Sequence, residues 1–363
     1  MSENGWEVYL VGVNYKKTPE RIFIQPAVKM IYCTTESTGI KNIFNYFKLI
    51  FFLTGLSVRK GVKIFIGYDS FAVLPVFLAS TLTFKKWVYH QHDYFENPKT
   101  FFQKMILLSE NKLSKFAAFT VFPQQQRAEI FFEKNKLKAK PLIVYNGPRK
   151  EWAFNKPGIN SGITDIRSRF RRLLIYQGSL AKWFSIENLI YAVKKCRSDI
   201  GVIILGKEID AGIKENYLAL INELGMGPRF QFVDFVPYEE IPSITSFCDL
   251  GIAKLTNDDD QNAPLNDRFL IGASNKITEY IACGLPVMTS LSAANKIFLE
   301  HHPVGFMCNV QDPGDFAASI DGALLNETAF DEMKKNNVQL FLDVLNYDTQ
   351  FEKCKNALEA LIN

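Results

Sequence analysis

The chain has 363 residues, 47% of them hydrophobic and 22% charged, which excludes a disordered or fibrous protein and allows two domains with full cores. Its net charge of +4 conceals an asymmetry, because residues 1–150 carry 22 Lys and Arg against 10 Asp and Glu, whereas residues 151–363 carry a net charge of −8. We therefore expect two domains with different partners. Since the sequence contains no nucleic-acid motif, we expect the basic domain to face an anionic membrane surface.

The sequence shows no sign of a membrane span or of secretion. Its N-terminus is polar and lacks the features of a signal peptide. The most apolar stretch, 40–56, is interrupted by Lys41, Asn45 and Lys48 and is too short to span a bilayer, so we predict a helix there. The six cysteines have no paired spacing and the four histidines no metal-ligand spacing, so we expect reduced thiols, a cytoplasmic protein and no metal site.

Strands alternate with helices along the first part of the chain, which is typical of a parallel sheet covered by helices on both faces. A Rossmann-like domain begins with a strand and a glycine-rich turn. The sequence shows no such opening unit, so we expect the domain to start at its second strand, either because the reading frame starts late or because the domain is reduced. The pattern predicts strands at 6–13, 28–33, 62–66, 87–90, 118–122 and 142–145, and helices at 40–56, 71–81, 97–115 and 124–135.

Residues 146–172 contain prolines, glycines and arginines without a clear period, which indicates an inter-domain linker. A second alternating series follows, so we predict domains at 1–150 and 170–345. Its predicted strands lie at 172–177, 200–205, 230–233, 250–253 and 287–290, and its helices at 185–195, 214–224, 239–247 and 275–282, with two more helices at the C-terminus, the last at 349–361.

The most informative stretch runs from residue 274 to residue 287, where we predict a short helix, a stop and a buried strand. Ser274 or Asn275 can cap the helix through a side-chain oxygen. Gly284 suits the left-handed position just beyond a helix end, and Pro286 cannot continue a helix.

Lys276 and Glu279 lie three residues apart and share one face of this helix. That face begins at a helix N-terminus, where free amides and the macrodipole favour an anion such as a phosphate. A carboxylate one turn further along can accept two hydrogen bonds from a vicinal diol such as a ribose. The alternative is an ordinary solvated Lys/Glu pair.

The pattern Asn-Lys-x-x-Glu-Tyr-x-Ala-Cys-Gly-Leu-Pro-Val, at 275–287, closely resembles the donor-site signature of glycosyltransferase family 4, the retaining group 1 enzymes of the GT-B fold. The resemblance implies an α/β protein with two Rossmann-like parallel-sheet domains facing each other across a cleft. Domain 1–150 would bind the acceptor and domain 170–345 the nucleotide sugar, with helix 349–361 packing back on the first domain. It also implies transfer of a hexose, with retention and without metal or other cofactor, from a UDP- or GDP-linked donor to a glycan or lipid-linked acceptor in cell-surface polysaccharide or lipopolysaccharide synthesis.

The resemblance assigns roles to individual residues of the donor domain. Glu279 would hold the ribose. Two positions depart from the family pattern, since many members carry an arginine where Ser179 stands and a lysine where Phe184 stands. A second glutamate is also replaced by Gly272. The other implied donor-binding residues are Gly178, Ser179 and Lys182 with Ser274, Asn275 and Lys276 for the diphosphate, the backbone of Gly272–Asn275 for the sugar, and the backbone of Val236 and Pro237 for the base.

In the first domain, His92 follows a predicted strand, where open α/β sheets place ligand-binding residues. The segment Tyr-His-Gln-His-Asp, at 89–93, resembles the family's histidine-bearing loop, which places His92 near the reacting sugar with Asp93 orienting its ring. The alternative for His92 is a surface histidine. Asp69 ends the preceding strand and either reaches an acceptor hydroxyl or caps the next helix.

Several alternatives stay open. A non-catalytic partner subunit and a sugar-nucleotide epimerase have the same fold. Asp258–Asp260 resembles a metal-binding motif, but its polar surroundings favour a solvated loop. An aromatic and basic segment indicates either a helical core or docking at an anionic membrane. This segment comprises Phe44, Tyr46, Phe47, Phe51 and Phe52 with Lys41, Lys48, Arg59 and Lys60.

Overall fold

The computed structural model describes residues 5–15, 28–35, 40–154, 161–253 and 265–362. The chain falls into two compact units, of which the first comprises residues 1–143 and 352–363 and the second comprises residues 144–351. Every strand in the described ranges pairs in parallel with its neighbours. None of the described helices is long and apolar enough to cross a membrane.

The first unit contains two separate parallel sheets. A four-stranded sheet has the order β3-β4-β5-β6, and a two-stranded sheet pairs β1 with β2. The predicted alternation of strands and helices is confirmed. The elements are β1 Val8–Tyr15, β2 Val28–Thr35, α1 Ile40–Lys60, β3 Ile64–Tyr68, α2 Asp69–Leu82, β4 Lys86–His90, α3 Phe101–Leu113, β5 Thr120–Phe122, α4 Gln125–Asn135 and β6 Leu142–Ile143.

Local capping explains where α3 begins. The Thr100 side chain accepts a hydrogen bond from the Gln103 amide, and the Gln103 side chain accepts one from the Thr100 amide. This capping box satisfies two amides of the first turn and starts the helix at Phe101. The helix was predicted from residue 97, but Asn97 lies in the left-handed region with φ +54° and stays outside the helix.

The second unit is a single six-stranded parallel sheet of order β12-β11-β10-β7-β8-β9. Helices cover both of its faces, because Leu174 and Tyr176 of β7 pack with one cluster of buried residues while Leu173 and Ile175 pack with the other. Its elements are α5 Ser161–Arg169, β7 Arg172–Gln177, α6 Ile186–Lys195, β8 Ile200–Leu205, α7 Ile213–Glu223, β9 Phe230–Val233, α8 Ile241–Thr245, β10 Leu250–Ile252, α9 Leu265–Arg268, α10 Asn275–Ala282, β11 Val287–Ser290, α11 Ala293–His301, β12 Gly305–Cys308, α12 Pro313–Leu325 and α13 Glu327–Leu340. The last helix, α14 Tyr347–Ile362, begins in this unit, and its residues from Glu352 onward belong to the first unit.

The structure corrects two predictions in this unit. The segment predicted as a linker contains α5, whose Ile163 and Ile166 are fully buried against the sheet. The C-terminal part was predicted as two helices, whereas it contains α11, strand β12 and three further helices. Strand β12 is only four residues long and pairs with β11 alone. A run this short shows little of the alternation of apolar and polar residues by which a strand is predicted.

Candidate functional site

Helix α10 begins and ends as predicted, but its N-terminus is not capped by a side chain. Ser274 occupies the N-cap position and makes no side-chain hydrogen bond to the first turn. Gly284, just beyond the helix, has φ +81°. An α-helix leaves its first amides without intrahelical partners, so those of Asn275, Lys276 and Ile277 are available to an anion.

The loop before α10 is held in place by its own turn and by a segment far away in sequence. The amides of Ala273 and Ser274 both donate to the carbonyl of Leu270, at 2.9 and 2.7 Å. Asn146 donates through its backbone to Gly272 and through its side chain to Ala273, each at 2.8 Å. Of the backbone amides expected to hold a sugar at 272–275, those of Ala273 and Ser274 are therefore already paired.

Glu279 is a buried carboxylate with two hydrogen-bond donors. It is only 4% exposed. Gln177 Nε2 donates to its Oε2, and the Tyr238 side chain hydrogen-bonds the same carboxylate. Burial raises the pKa of Glu279 to about 7, although the hydrogen bonds from Tyr238 and Gln177 and the charge of Lys276 act in the opposite direction. The carboxylate thus titrates close to neutral pH.

Gln177 is itself fixed at both its backbone and its side chain. Its amide donates to the Tyr280 hydroxyl at 2.8 Å, and the Thr245 hydroxyl donates to its Oε1 at 3.1 Å. Because its side-chain oxygen accepts from Thr245, its Nε2 faces Glu279 as a donor. Gln177, Thr245 and Tyr238 therefore orient the Glu279 carboxylate, and sequence analysis identified none of the three. The only signal was a glutamine within the apolar run of β7.

Lys276 lies between two aromatic rings and is half-buried. Its Nζ is 5.1 Å from the ring centre of Tyr176 and 5.6 Å from that of Phe184. Burial lowers the pKa of Lys276 to about 8, against the effect of Glu279, which raises it. Among the described residues, the ammonium group has these cation–π contacts but no ion pair. Phe184, one of the two positions expected to depart from the family pattern, therefore contacts Lys276.

The loop after β7 depends on two glycines. A Cβ atom on Gly178, which has φ +148°, would lie 2.8 Å from Nζ of Lys276. A Cβ on Gly206 would lie 1.7 Å from the carbonyl oxygen of Gly178. Only glycines allow this approach between the loops that follow β7 and β8. Ser179 is half-buried and accepts from the Tyr176 hydroxyl through its carbonyl, whereas the Lys182 side chain is exposed.

A pocket of 740 Å³ lies beside this loop, at the carboxyl ends of β8 and β9. Phe235 forms part of it and is 77% exposed. Val236 is half-buried and Pro237 is exposed, and both directly follow the pocket residues in sequence. An ion pair between Lys214 and Asp234 lies in its wall, with Nζ 2.6 Å from Oδ1. The pocket is lined by Lys207, Glu208, Ile209, Ala211, Lys214, Glu215, Asp234 and Phe235.

In the first unit, Asp69 holds the loop that carries His92, and the prediction that it caps the next helix is wrong. Asp69 does not cap α2, because its Oδ1 instead accepts from the backbone amides of His92, at 2.7 Å, and Asp93, at 3.2 Å. The exposed Asp93 carboxylate makes no hydrogen bond to the ring of His92, which corrects its predicted orienting role. Asp69 has φ +57°, so it adopts the left-handed conformation while holding this loop.

The loop is fixed from both sides, and its histidine stacks on a buried one. The rings of His90 and His92 are stacked with centres 4.7 Å apart. Burial lowers the pKa of His90 to about 3, so this ring is neutral. Between them, Gln91 donates to the buried Glu110 carboxylate at 2.9 Å, and Arg127 donates to the His92 carbonyl at 3.2 Å. Sequence analysis did not identify Gln91, Glu110 and Arg127 as the residues that hold this loop, because they lie far apart in the chain.

Two further features singled out in the sequence are the aromatic and basic segment and the acidic run at Asp258–Asp260. In the aromatic and basic segment, Tyr46 is buried in the core, whereas Phe44, Phe47 and Phe51 are exposed. Asp258–Asp260 lies outside the described residues. Within the described ranges, no three His, Cys, Asp or Glu side chains are grouped so that they could hold a metal ion.

Comparison with known proteins bears mainly on the second unit. Residues 171–326, less than half of the chain, match the family model of the group 1 glycosyl transferases. This range includes Gln177, Tyr238, Lys276 and Glu279. No curated protein matches the sequence.

Solved structures resemble nearly the whole chain. HepE from Anabaena, in complex with UDP, has a TM-score of 0.71 at 17% identity, over 92% of this chain and 87% of its own. Sucrose-phosphate synthase from Thermosynechococcus elongatus has a TM-score of 0.69 at 15% identity, over 99% and 90%. WaaG, a glycosyltransferase involved in lipopolysaccharide biosynthesis, has a TM-score of 0.65 at 13% identity, over 98% and 92%. At these identities the likeness shows the fold alone, and the predicted GT-B fold is confirmed.

Proposed function

We propose that the protein is a glycosyltransferase that moves a hexose from a nucleotide diphosphate sugar to an acceptor hydroxyl. The observation that carries the proposal is the arrangement at α10, where a buried carboxylate, an ammonium group without an ion pair in the described structure and an uncapped helix N-terminus lie within one turn. The match of residues 171–326 to the group 1 glycosyl transferases supports this reading.

Each group has a distinct task in the proposed reaction. Glu279 accepts hydrogen bonds from the ribose hydroxyls, and the amides at the start of α10 bind the diphosphate with Lys276. In the transfer, the bond from the sugar C1 to the phosphate oxygen breaks and a bond from C1 to the acceptor oxygen forms, while the proton of the acceptor hydroxyl passes to the leaving diphosphate oxygen. The negative charge that develops on the leaving diphosphate is stabilised by Lys276 and the amides.

The proposal extends to the base and to the rest of the donor site. We assign the base to the 740 Å³ pocket beside Val236 and Pro237, where the exposed ring of Phe235 offers a stacking surface. HepE is described in complex with UDP and with UDP-glucose, which favours a UDP-linked donor, with GDP as the alternative. Gly178, Ser179, Lys182 and Gly272 are proposed to complete the donor site.

The acceptor side of the proposal concerns the first unit. We assign His92, whose backbone amide donates to Asp69, to the sugar and acceptor end of the reaction. Asp93 follows it in the chain with an exposed carboxylate and is assigned to the same end of the reaction. The acceptor is a glycan or lipid-linked sugar of cell-surface polysaccharide or lipopolysaccharide, as the description of WaaG suggests. Retention of configuration and metal independence are proposed on the resemblance, and the proposed location is the cytoplasm.

The test is nucleotide binding by the wild type and by Glu279→Gln, measured by calorimetry and by thermal stability with UDP, GDP and ADP. A hydrogen bond to a charged group contributes about 1.5–3 kcal/mol, so we expect affinity to fall at least tenfold. The matched control is Glu300→Gln, which changes an exposed glutamate of the same unit and should leave affinity unchanged.

The outcomes separate the alternatives. Equal affinity of wild type and Glu279→Gln would overturn the role of Glu279. A folded wild type that binds none of the nucleotides would favour a non-catalytic partner subunit. Consumption of a nucleotide sugar without any acceptor, analysed by its products, would indicate an epimerase.

A further inference from the structure

Helix α1 has two apolar faces, and in the part of the chain that the structure describes only one of them is buried. Tyr46, Leu49, Ile50 and Leu53 are buried in the first unit. The other face carries large side chains that are exposed to solvent. These are Phe44 at 66%, Phe47 at 44%, Phe51 at 74% and Val58 at 74% exposure.

The exposed side chains form a continuous stripe. Positions 44, 47, 51 and 58 recur at helical spacing, so they lie along one face. At a rise of 1.5 Å per residue, the stripe extends about 21 Å. Isolated apolar side chains are normal on a protein surface, whereas three phenylalanines aligned on one helix indicate an interaction surface.

The charge of α1 indicates the partner. The helix sequence contains four basic residues and no acidic one. Lys48 and Arg59 lie beside the stripe and are exposed, and Lys60 is exposed at the end of the helix. Aromatic side chains flanked by Lys and Arg are suited to the interface of a bilayer, where rings enter the boundary of the acyl chains and cations contact anionic headgroups.

A second copy of the chain fits this surface less well. In a two-fold symmetric dimer the same patch meets itself, so the basic side chains beside the stripe would approach their own equivalents. Like charges brought together at an interface oppose association. No acidic residue of α1 is present to compensate them.

We propose that the exposed stripe of α1, with Lys48 and Arg59, docks the first unit on an anionic lipid bilayer. Binding of the protein to the bilayer does not require the donor site, so this proposal is independent of the proposed nucleotide binding. If the acceptor is lipid-linked, docking there would bring the protein to the surface that carries it.

The experiment is co-flotation of the full chain with vesicles of equal parts phosphatidylglycerol and phosphatidylcholine, and with vesicles of phosphatidylcholine alone. We expect binding to the anionic vesicles that weakens with added salt. The triple variant Phe44→Ser, Phe47→Ser and Phe51→Ser should lose at least tenfold in partition coefficient. Lys48→Gln with Arg59→Gln should weaken binding to anionic vesicles only.

Two controls make the result specific. Phe154→Ser removes a phenylalanine that is 70% exposed in the second unit, and should change the partition coefficient less than twofold. Nucleotide binding and thermal stability of the triple variant should match the wild type, so a loss of vesicle binding is distinguishable from unfolding or a failed donor site. As a second measurement, Trp fluorescence of Phe51→Trp should shift to shorter wavelength with anionic vesicles.

Three results would overturn the proposal. These are no vesicle binding by the wild type, equal binding by the triple variant, or equal loss in Phe154→Ser. A wild-type dimer in solution that dissociates in the triple variant, without vesicle binding in either protein, would assign the stripe to a second copy instead.

Discussion

The two ionisable residues of α10 have pKa values displaced towards each other by burial. Glu279 has its pKa raised to about 7 and Lys276 has its pKa lowered to about 8, so each group is biased towards its neutral form in the empty site. A ribose that donates hydrogen bonds favours the ionised carboxylate, and a diphosphate favours the protonated amine. Ligand binding and proton binding are therefore coupled at this site.

We predict that affinity for a nucleoside diphosphate is highest between about pH 7 and pH 8. Below this range Glu279 takes up a proton and loses its charge, and above it Lys276 releases a proton and loses its charge. Calorimetric titrations across pH 5.5–9.5 measure the profile. Glu279→Gln should flatten the acid side and Lys276→Met the alkaline side, and a flat wild-type profile would contradict the prediction.

At the scale of elements, helix α10 approaches strand β10 closely because one residue of the strand has no side chain. A Cβ on Gly251 would lie 2.4 Å from Cδ2 of the Tyr280 ring. The Tyr280 hydroxyl accepts from Gln177 and donates towards the carbonyls of Ile175 and Ile252 at 3.3 and 3.2 Å. Tyr280 therefore links α10 to β7 and β10 next to Glu279.

We predict that Gly251→Ala lowers the free energy of unfolding by about 1–3 kcal/mol, because the added methyl group overpacks a filled core. Chemical denaturation of the second unit measures the change. Gly322→Ala is the matched control, since a Cβ there has no atom within 4 Å and a helix favours alanine by about 0.5–1 kcal/mol. Equal stability of Gly251→Ala and wild type would show that Tyr280 can move.

The same elements show what the sequence can and cannot predict. Helix α10 was predictable because its signals at Ser274 and Gly284 are local, and so were most strands and helices. The partners of Glu279 were not, since Gln177 is about a hundred residues away and only the fold brings it near. The exposed face of α1 was likewise ambiguous, because aromatic residues at helical spacing suit a core and a surface equally well.

At the scale of the whole molecule, a buried carboxylate joins much of the second unit. Asp249 is 3% exposed and accepts from the Leu173 amide at 2.8 Å and from Arg167. Its other oxygen lies 3.5 Å from Nη1 of Arg172 and 3.7 Å from Nζ of Lys334. One side chain thereby connects α5, β7 and α13 at the start of β10.

We predict that Asp249→Ala lowers the free energy of unfolding of the second unit by about 1–3 kcal/mol, because it leaves the buried Leu173 amide and the Arg167 guanidinium without their acceptor. Urea denaturation, analysed by unit, measures this change. Asp165→Ala removes an exposed ion pair with Arg169 and should cost no more than about 1 kcal/mol. A loss of similar size in both variants would refute a special role for Asp249.

The strand order of the second unit also has a consequence for biosynthesis. Strand β7, which carries Gln177, pairs on one side with β8 and on the other with β10. Strand β10 begins only at Leu250, so one edge of β7 has no neighbour until the ribosome has added more than seventy further residues. An unpaired apolar strand edge in a nascent chain invites wrong pairing. Gln177, which orients Glu279, thus lies on a strand that gains its second neighbouring strand only late in translation.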